Sequence, residues 1–196
     1  MSVESRLTDV EESLRLLRDA DRLQGRRVSA LKPTDRYYLG WNDTTKKWEP
    51  KGIAFVVKTA DEDVTSSTTL QDDDALLFAI GASERWVFEF FIIWKSTTTG
   101  DIKFTITVPS GATGAWVLGR QEGTGGSEPT YRGSLTFGAG VLAEATSTNH
   151  YGTHIWGAVL NSTTAGNATL QWAQNTSDAT KATVFTHSWL RAMQVS

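Results

Sequence analysis

The sequence has no cysteine, and only four prolines, three histidines and two methionines in 196 residues. Without cysteine there is no disulfide framework, thiolate zinc site, iron–sulfur cluster or cysteine nucleophile, so packing and hydrogen bonding alone must hold the fold. A long apolar run is also missing. The longest, Trp86 to Trp94, is broken by Glu89 and falls well short of the roughly 20 residues a membrane helix needs. The first residues alternate charges where a secretion signal carries an apolar stretch, which predicts a soluble product made in a cytosol. Nor is there an excess of positive charge. With 19 Lys and Arg against 22 Asp and Glu the net charge is −3, which leaves no global basic field for gripping nucleic acid.

The charge that is present is unevenly spread. Residues 1–51 hold 11 basic and 9 acidic residues and net +2; the other 145 hold 8 and 13 and net −5, with much Thr, Gly and aromatic. This shift predicts three parts: an N-terminal helix over 1–25, a connector over 26–51 and a β-rich head over 52–196. In the first part Val3, Leu7, Val10, Leu14 and Leu17 are spaced 4, 3, 4 and 3, a heptad seam with Leu7 and Leu14 at a and the others at d. Leu at a with β-branched residues at d favours three or four strands over a parallel dimer. So short a helix is marginal alone, so the seam predicts a coiled-coil homotrimer, with an amphipathic helix packed on its own domain as the alternative. Arg22, Arg26 and Arg27 lie where the seam fails, a candidate attachment site for carboxylates on a larger particle.

The connector carries Trp41-Asn42-Asp43-Thr44-Thr45-Lys46-Lys47-Trp48-Glu49-Pro50, whose centre reads as a turn with a Trp on each side, predicting a hairpin closed by the two indoles. From Gly52 onward the pattern is β. Ile102, Phe104, Ile106 and Val108 alternate with polar residues, and Trp86 to Trp94 is apolar on both faces apart from Glu89, which predicts a central strand covered on each side, one side by a neighbouring subunit. Further strands are predicted over 53–58, 75–80, 115–120, 131–137, 141–146, 154–160, 168–174 and 181–195, the last with a break. About ten strands with turn-rich intervals predict a jelly-roll-like antiparallel sandwich. The expected core or subunit interface is Trp86, Phe88, Phe90, Phe91, Ile92, Trp94, Ile102, Phe104, Ile106 and Trp172.

Signatures of chemistry are few. His150 and His154 lack the Glu of a zincin helix, and on a strand they would stand about 13 Å apart. Gly123-Thr124-Gly125-Gly126 lacks the following Lys and the helix of a phosphate loop, and no Gly-x-Ser-x-Gly elbow is present. Asp61-Glu62-Asp63 and Asp72-Asp73-Asp74 lack calcium-loop spacing and read as solvated loop charge. The expectation is no enzyme, no cofactor and no metal.

Trp41-Asn42 through Lys47-Trp48-Glu49-Pro50 resembles a Trp-Asn…Lys-Trp-x-Pro element of phage fibre and tail proteins. Leu170 to Ser177, Ser188-Trp189-Leu190-Arg191-Ala192 and Val108 to Gly114 are similar to patches of small phage structural proteins. Together with the helix, connector and β-head, they resemble virion surface proteins of tailed bacteriophages. The resemblance implies a homotrimeric, non-enzymatic virion component made in the host cytoplasm and carried on the virion surface, with other virion proteins, above all the major capsid protein, as partners and no nucleic acid or membrane. A capsid decoration protein or short head fibre anchored by its N-terminal segment is the first expectation, since about 22 helical residues span only roughly 33 Å. A tail fibre or receptor-binding protein recognising a host surface glycan is the alternative.

Overall fold

The computed structural model describes residues 22–30, 37–120, 130–145 and 149–195. The chain divides into two compact units, Met1–Gly52 and Ile53–Ser196. In the first, β1 (Arg22–Leu23) and β2 (Arg26–Arg27) form a minimal antiparallel hairpin. Its turn residues Gln24 and Gly25 have φ of 53° and 73°, the left-handed pair a tight two-residue hairpin turn requires. The last four residues of the helix expected over 1–25 are therefore hairpin, because the apolar seam is exhausted there and Gln-Gly suits a turn. The seam residues Val3, Leu7, Val10, Leu14 and Leu17 lie outside the described residues.

Next come β3 (Tyr37–Asn42) and β4 (Lys47–Val57), paired so that Trp41 stands directly opposite Trp48. The rings meet edge to face at 5.6 Å between centroids, the arrangement favoured by aromatic quadrupoles. Asn42 organises the turn: its Oδ1 accepts from the amides of Thr44 (2.9 Å) and Thr45 (3.1 Å), and its Nδ2 donates to Glu49 at 2.7 Å. The hydroxyl of Thr45 and then the amide of Asn42, both donating to Glu49, hold that carboxyl below the usual carboxylate range.

The second unit is an antiparallel sandwich. Its larger sheet runs in the order β10 (Thr130–Ser134), β9 (Thr113–Arg120), β12 (Tyr151–Leu160), β7 (Arg85–Lys95), β15 (Trp189–Gln194) and the 53–57 half of β4. β14 (Ala182–Val184) joins the end of β7 and pairs also with β5 (Glu62–Val64). The smaller sheet is β11 (Val141–Ala143), β8 (Ile102–Thr107), β13 (Gly166–Ala173) and β6 (Gln71–Ile80). β7 is central, with β12 along one edge and β15 and β14 along the other. The expected break within 181–195 is real: Ser188 Oγ accepts from the Ile93 amide at 3.0 Å, and the chain steps from β14 to β15.

Along β7 the side chains of Trp86, Phe88, Phe90, Ile92 and Trp94 point inward and are buried. They meet the smaller sheet directly: Phe78 packs on Trp86 and Phe88, and Trp94 on Phe104, with centroids 5.5 to 6.2 Å apart. Nine of the ten expected core residues are buried; Phe91 is half-exposed, because period-two alternation turns it to the opposite face. Gly157 has no room for more, since a Cβ there would lie 2.8 Å from both the Phe88 ring and Trp116 Cβ and 2.4 Å from a backbone oxygen.

The acidic clusters meet the expectation of solvated charge only in part: Asp61, Asp63, Asp72 and Asp74 are exposed, while Glu62 is half-buried and Asp73 buried. They sit on or beside β5 and β6, where Lys58, only 3% exposed, donates to Glu62 (2.8 Å) and to both oxygens of the fully buried Asp73 (3.0 Å each). Asp73 Oδ1 also accepts from the amides of Ala75 and Leu76. Burial works against the Lys58 ammonium, but its hydrogen bonds to Glu62 and Asp73 outweigh it and raise its pKa. A raised lysine value means that this pairing contributes fully below the ordinary lysine range near ~10.4 and is lost as pH climbs through the raised value.

Two stability measurements check this architecture. Asp73→Ala leaves the buried Lys58 ammonium with the Glu62 carboxylate alone and takes the Asp73 acceptor from the Ala75 and Leu76 amides, and should cost about 3–5 kcal/mol by urea denaturation at pH 7, a penalty that shrinks at strongly alkaline pH where the amine is neutral. Phe90→Ala should cost a similar ~3–5 kcal/mol through cavity formation at every pH.

Candidate functional site

The outer face of the larger sheet is where the second unit departs from an ordinary solvated surface. Strand register places its outward residues in rows. One row is Ile53, Met193, Val87, Ala158 and Ala115; the next is Phe55, Arg191, Glu89, Trp156 and Val117; a third is Val57, Trp189, Phe91, His154 and Gly119, reaching Tyr131 on β10. A half-solvated antiparallel sheet normally carries polar residues outward; here nearly every position is apolar or aromatic. Phe55 is 51% exposed and Met193 42%. The rings touch one another across the strands: Phe91 stacks on Trp189 at 6.0 Å, Phe55 leans on Trp189 at 6.3 Å, and Trp156 lies 4.8 Å from His154 and 5.9 Å from Tyr131.

At the centre of these rows sits one compact charge cluster. Glu89 and Arg191 are directly opposed across β7 and β15, and the Arg191 Nε donates to one Glu89 oxygen. The other oxygen is hydrogen-bonded to Nε2 of His154 on β12. Arg191 also lies over the Trp189 ring at 5.9 Å. With both Glu89 oxygens engaged from neighbouring strands, the cluster needs no outside counter-ion. An ion pair with this much solvent contact contributes only about 0–1 kcal/mol, so stabilising the free sheet is not enough to explain it. Beside it is a shallow depression of about 720 Å³ lined by Ile53, Val87, Glu89, Trp156, Arg191 and Met193 among others. The three rows carry no serine, threonine or cysteine.

The arginines singled out from the sequence are on the β1–β2 hairpin of the first unit. Arg22 and Arg27 are cross-strand partners, and all three arginines are exposed. Arg26 is committed locally, its guanidinium 4.3 Å from the Trp41 centroid. Below it, Asp43 is held under its usual pKa by the hydrogen bond from Lys46, then by that from the Trp41 indole, with Arg26 adding to the effect. Arg22 and Arg27 remain directed at solvent, apart from one bond of Arg22 to the Gly25 carbonyl at 3.3 Å.

His150 and His154 are not brought together: the His150 ring packs on Phe185 at 4.7 Å while His154 faces Glu89. Among the described residues no group of three His, Asp or Glu is arranged to hold a metal ion. Sequence reasoning missed the Glu89–Arg191–His154 cluster. Its one signal was Glu89 itself, the only charge between Trp86 and Trp94.

No family model matches the chain, and no curated protein does. Among solved structures, a chain described as "Structure of infectious bursal disease virus Gt strain" is 11% identical, over 86% of this chain and 47% of that one, with a TM-score of 0.20. The chain thus spans about half the length of that neighbour, and a superposition this poor carries no weight for fold or function.

Proposed function

We propose that the chain is a non-enzymatic structural protein of a tailed-bacteriophage virion: a homotrimeric capsid decoration protein or short head fibre, attached through its N-terminal segment. The observation that carries this reading is the outer face of the larger sheet, a broad apolar surface with internally paired charge. Such a surface suits a protein that works inside an assembly, and it is not a catalytic cleft. The heptad seam in the sequence and the phage-like connector support the same reading.

The strand order supports a finer description of the sandwich as a jelly roll. β4, β15, β7 and β12 in one sheet, with β6, β13, β8 and β11 in the other, alternate along the chain as two wrapped Greek keys do. β9 and β10 then form a hairpin added outside β12. A second reading, a receptor-binding tip recognising host glycan, is favoured by Tyr131, Trp156 and Trp189 on one face, since aromatic rings can stack on sugars.

Quantitative mass spectrometry of purified particles separates the two: hundreds of copies per particle are expected for decoration, whereas a handful would reassign the chain to the tail. Attachment has its own test. Because Arg22 and Arg27 are exposed, the double variant Arg22→Glu with Arg27→Glu should fold normally yet bind particles lacking this protein at least tenfold more weakly. Wild-type binding should fall as salt rises, since exposed charges are screened over about 8–10 Å near physiological ionic strength. Binding indifferent to both changes would move the anchor away from these arginines.

A further inference from the structure

We infer that the outer face of the larger sheet is the surface on which copies of this chain pack against one another, so that the β-heads, and not the N-terminal seam alone, hold the trimer together. The inference rests on the trimeric reading above and assigns it a contact.

Extent is the first argument. Six strands about 4.8 Å apart and three rows of outward residues roughly 6.6 Å apart cover on the order of 600 Å². That is the upper end of the largest apolar patch on a typical monomer. Three such faces meeting at one axis together bury about 1,800 Å², shared among three pairs of subunits, so the face adds to the seam and does not replace it. Charge is the second. A foreign partner selected by electrostatics would meet an unpaired charge, but both oxygens of Glu89 are already taken by Arg191 and His154. The face can therefore lose its water without stranding a carboxylate, and the partner need bring only apolar surface. An identical face meets that requirement. Three of them turned toward a common axis need no other protein to cover them. Composition is the third: the exposed groups are Ile53, Phe55, Val57, Val87, Tyr131 and Met193 with Arg191, beside half-buried Trp156 and Trp189, so the face includes the aromatic, methionine and arginine types enriched at interfaces, while lysine is missing from all three rows.

The test uses the full chain. Sedimentation velocity at micromolar concentration should give a trimer for the wild type. Phe55→Asp and Val87→Asp, both at positions already exposed to solvent, should raise the concentration for half-dissociation at least tenfold, while Leu135→Asp, 84% exposed and outside the face, should leave it unchanged. A readout free of any folding defect comes from peroxide oxidation of the wild type followed by peptide mapping. Met193, exposed in the single chain, should oxidise at least tenfold more slowly than the same residue in the chain unfolded in urea. A wild-type trimer with freely oxidised Met193 and unaffected Asp variants would overturn the packing assignment while leaving the trimer intact. A wild-type monomer would overturn both. Protection of Met193 that appears only on whole particles would give the face to another virion protein and likewise overturn the assignment.

Discussion

The structure depends on the need to cover β7 on both sides. Its inward residues Trp86, Phe88, Phe90, Ile92 and Trp94 fix where the smaller sheet must lie, because rings of that size are satisfied only by facing rings such as Phe78 and Phe104. Its outward residues Val87, Phe91 and Ile93 make an equal demand on the other side, which nothing in the described chain meets in full. A strand apolar on one face builds a sandwich. Here the second face is left open to solvent in the described chain.

Polar groups inside the second unit are handled in two different ways. Lys58 and Asp73 are buried and fully paired, with backbone amides completing the shell of Asp73, so the pair ties β6 to the end of β4 at a site where separating the charges would be costly. Glu89, Arg191 and His154 are arranged just as closely but lie open on the sheet face. The first group stabilises the fold as it stands. The second contributes little until water is removed, and so acts on specificity more than on the stability of one chain.

Much of this was legible in the sequence. Alternation located the strand Ile102–Thr107, although Thr105 on its polar face is buried too, and the break expected within 181–195 is present. The Trp bracket was readable because Trp41 and Trp48 flank a run of turn-forming residues, so local chemistry alone sets the hairpin register. What escaped depends on pairing between distant segments. Nothing local links Lys58 to Asp73 across 15 residues, or Glu89 to Arg191 across 102; both follow only once strand order is known. The inside and outside of β7 were likewise undecidable from composition, since alternation is invisible in a run apolar at almost every position, so the outward Phe91 could not be told from its inward neighbours. Residues 22–25 were misread because the helix was carried past the end of the seam, where Gln24-Gly25 takes the left-handed turn of a hairpin.

The position of β15 has a consequence in time. Residues 189–194 fill the lane between β4 and β7, so the larger sheet cannot close until nearly the whole described chain has been made. At about 5–20 residues per second, the charged first segment has been clear of the ribosome for on the order of ten seconds before that lane is filled. Neighbouring ribosomes on one message would therefore hold out N-terminal segments, free to find each other, while every head is still an open half-sheet. Under the proposed packing, chains would meet before the fold is complete, and the apolar face would form already beside its counterparts instead of passing through solution uncovered.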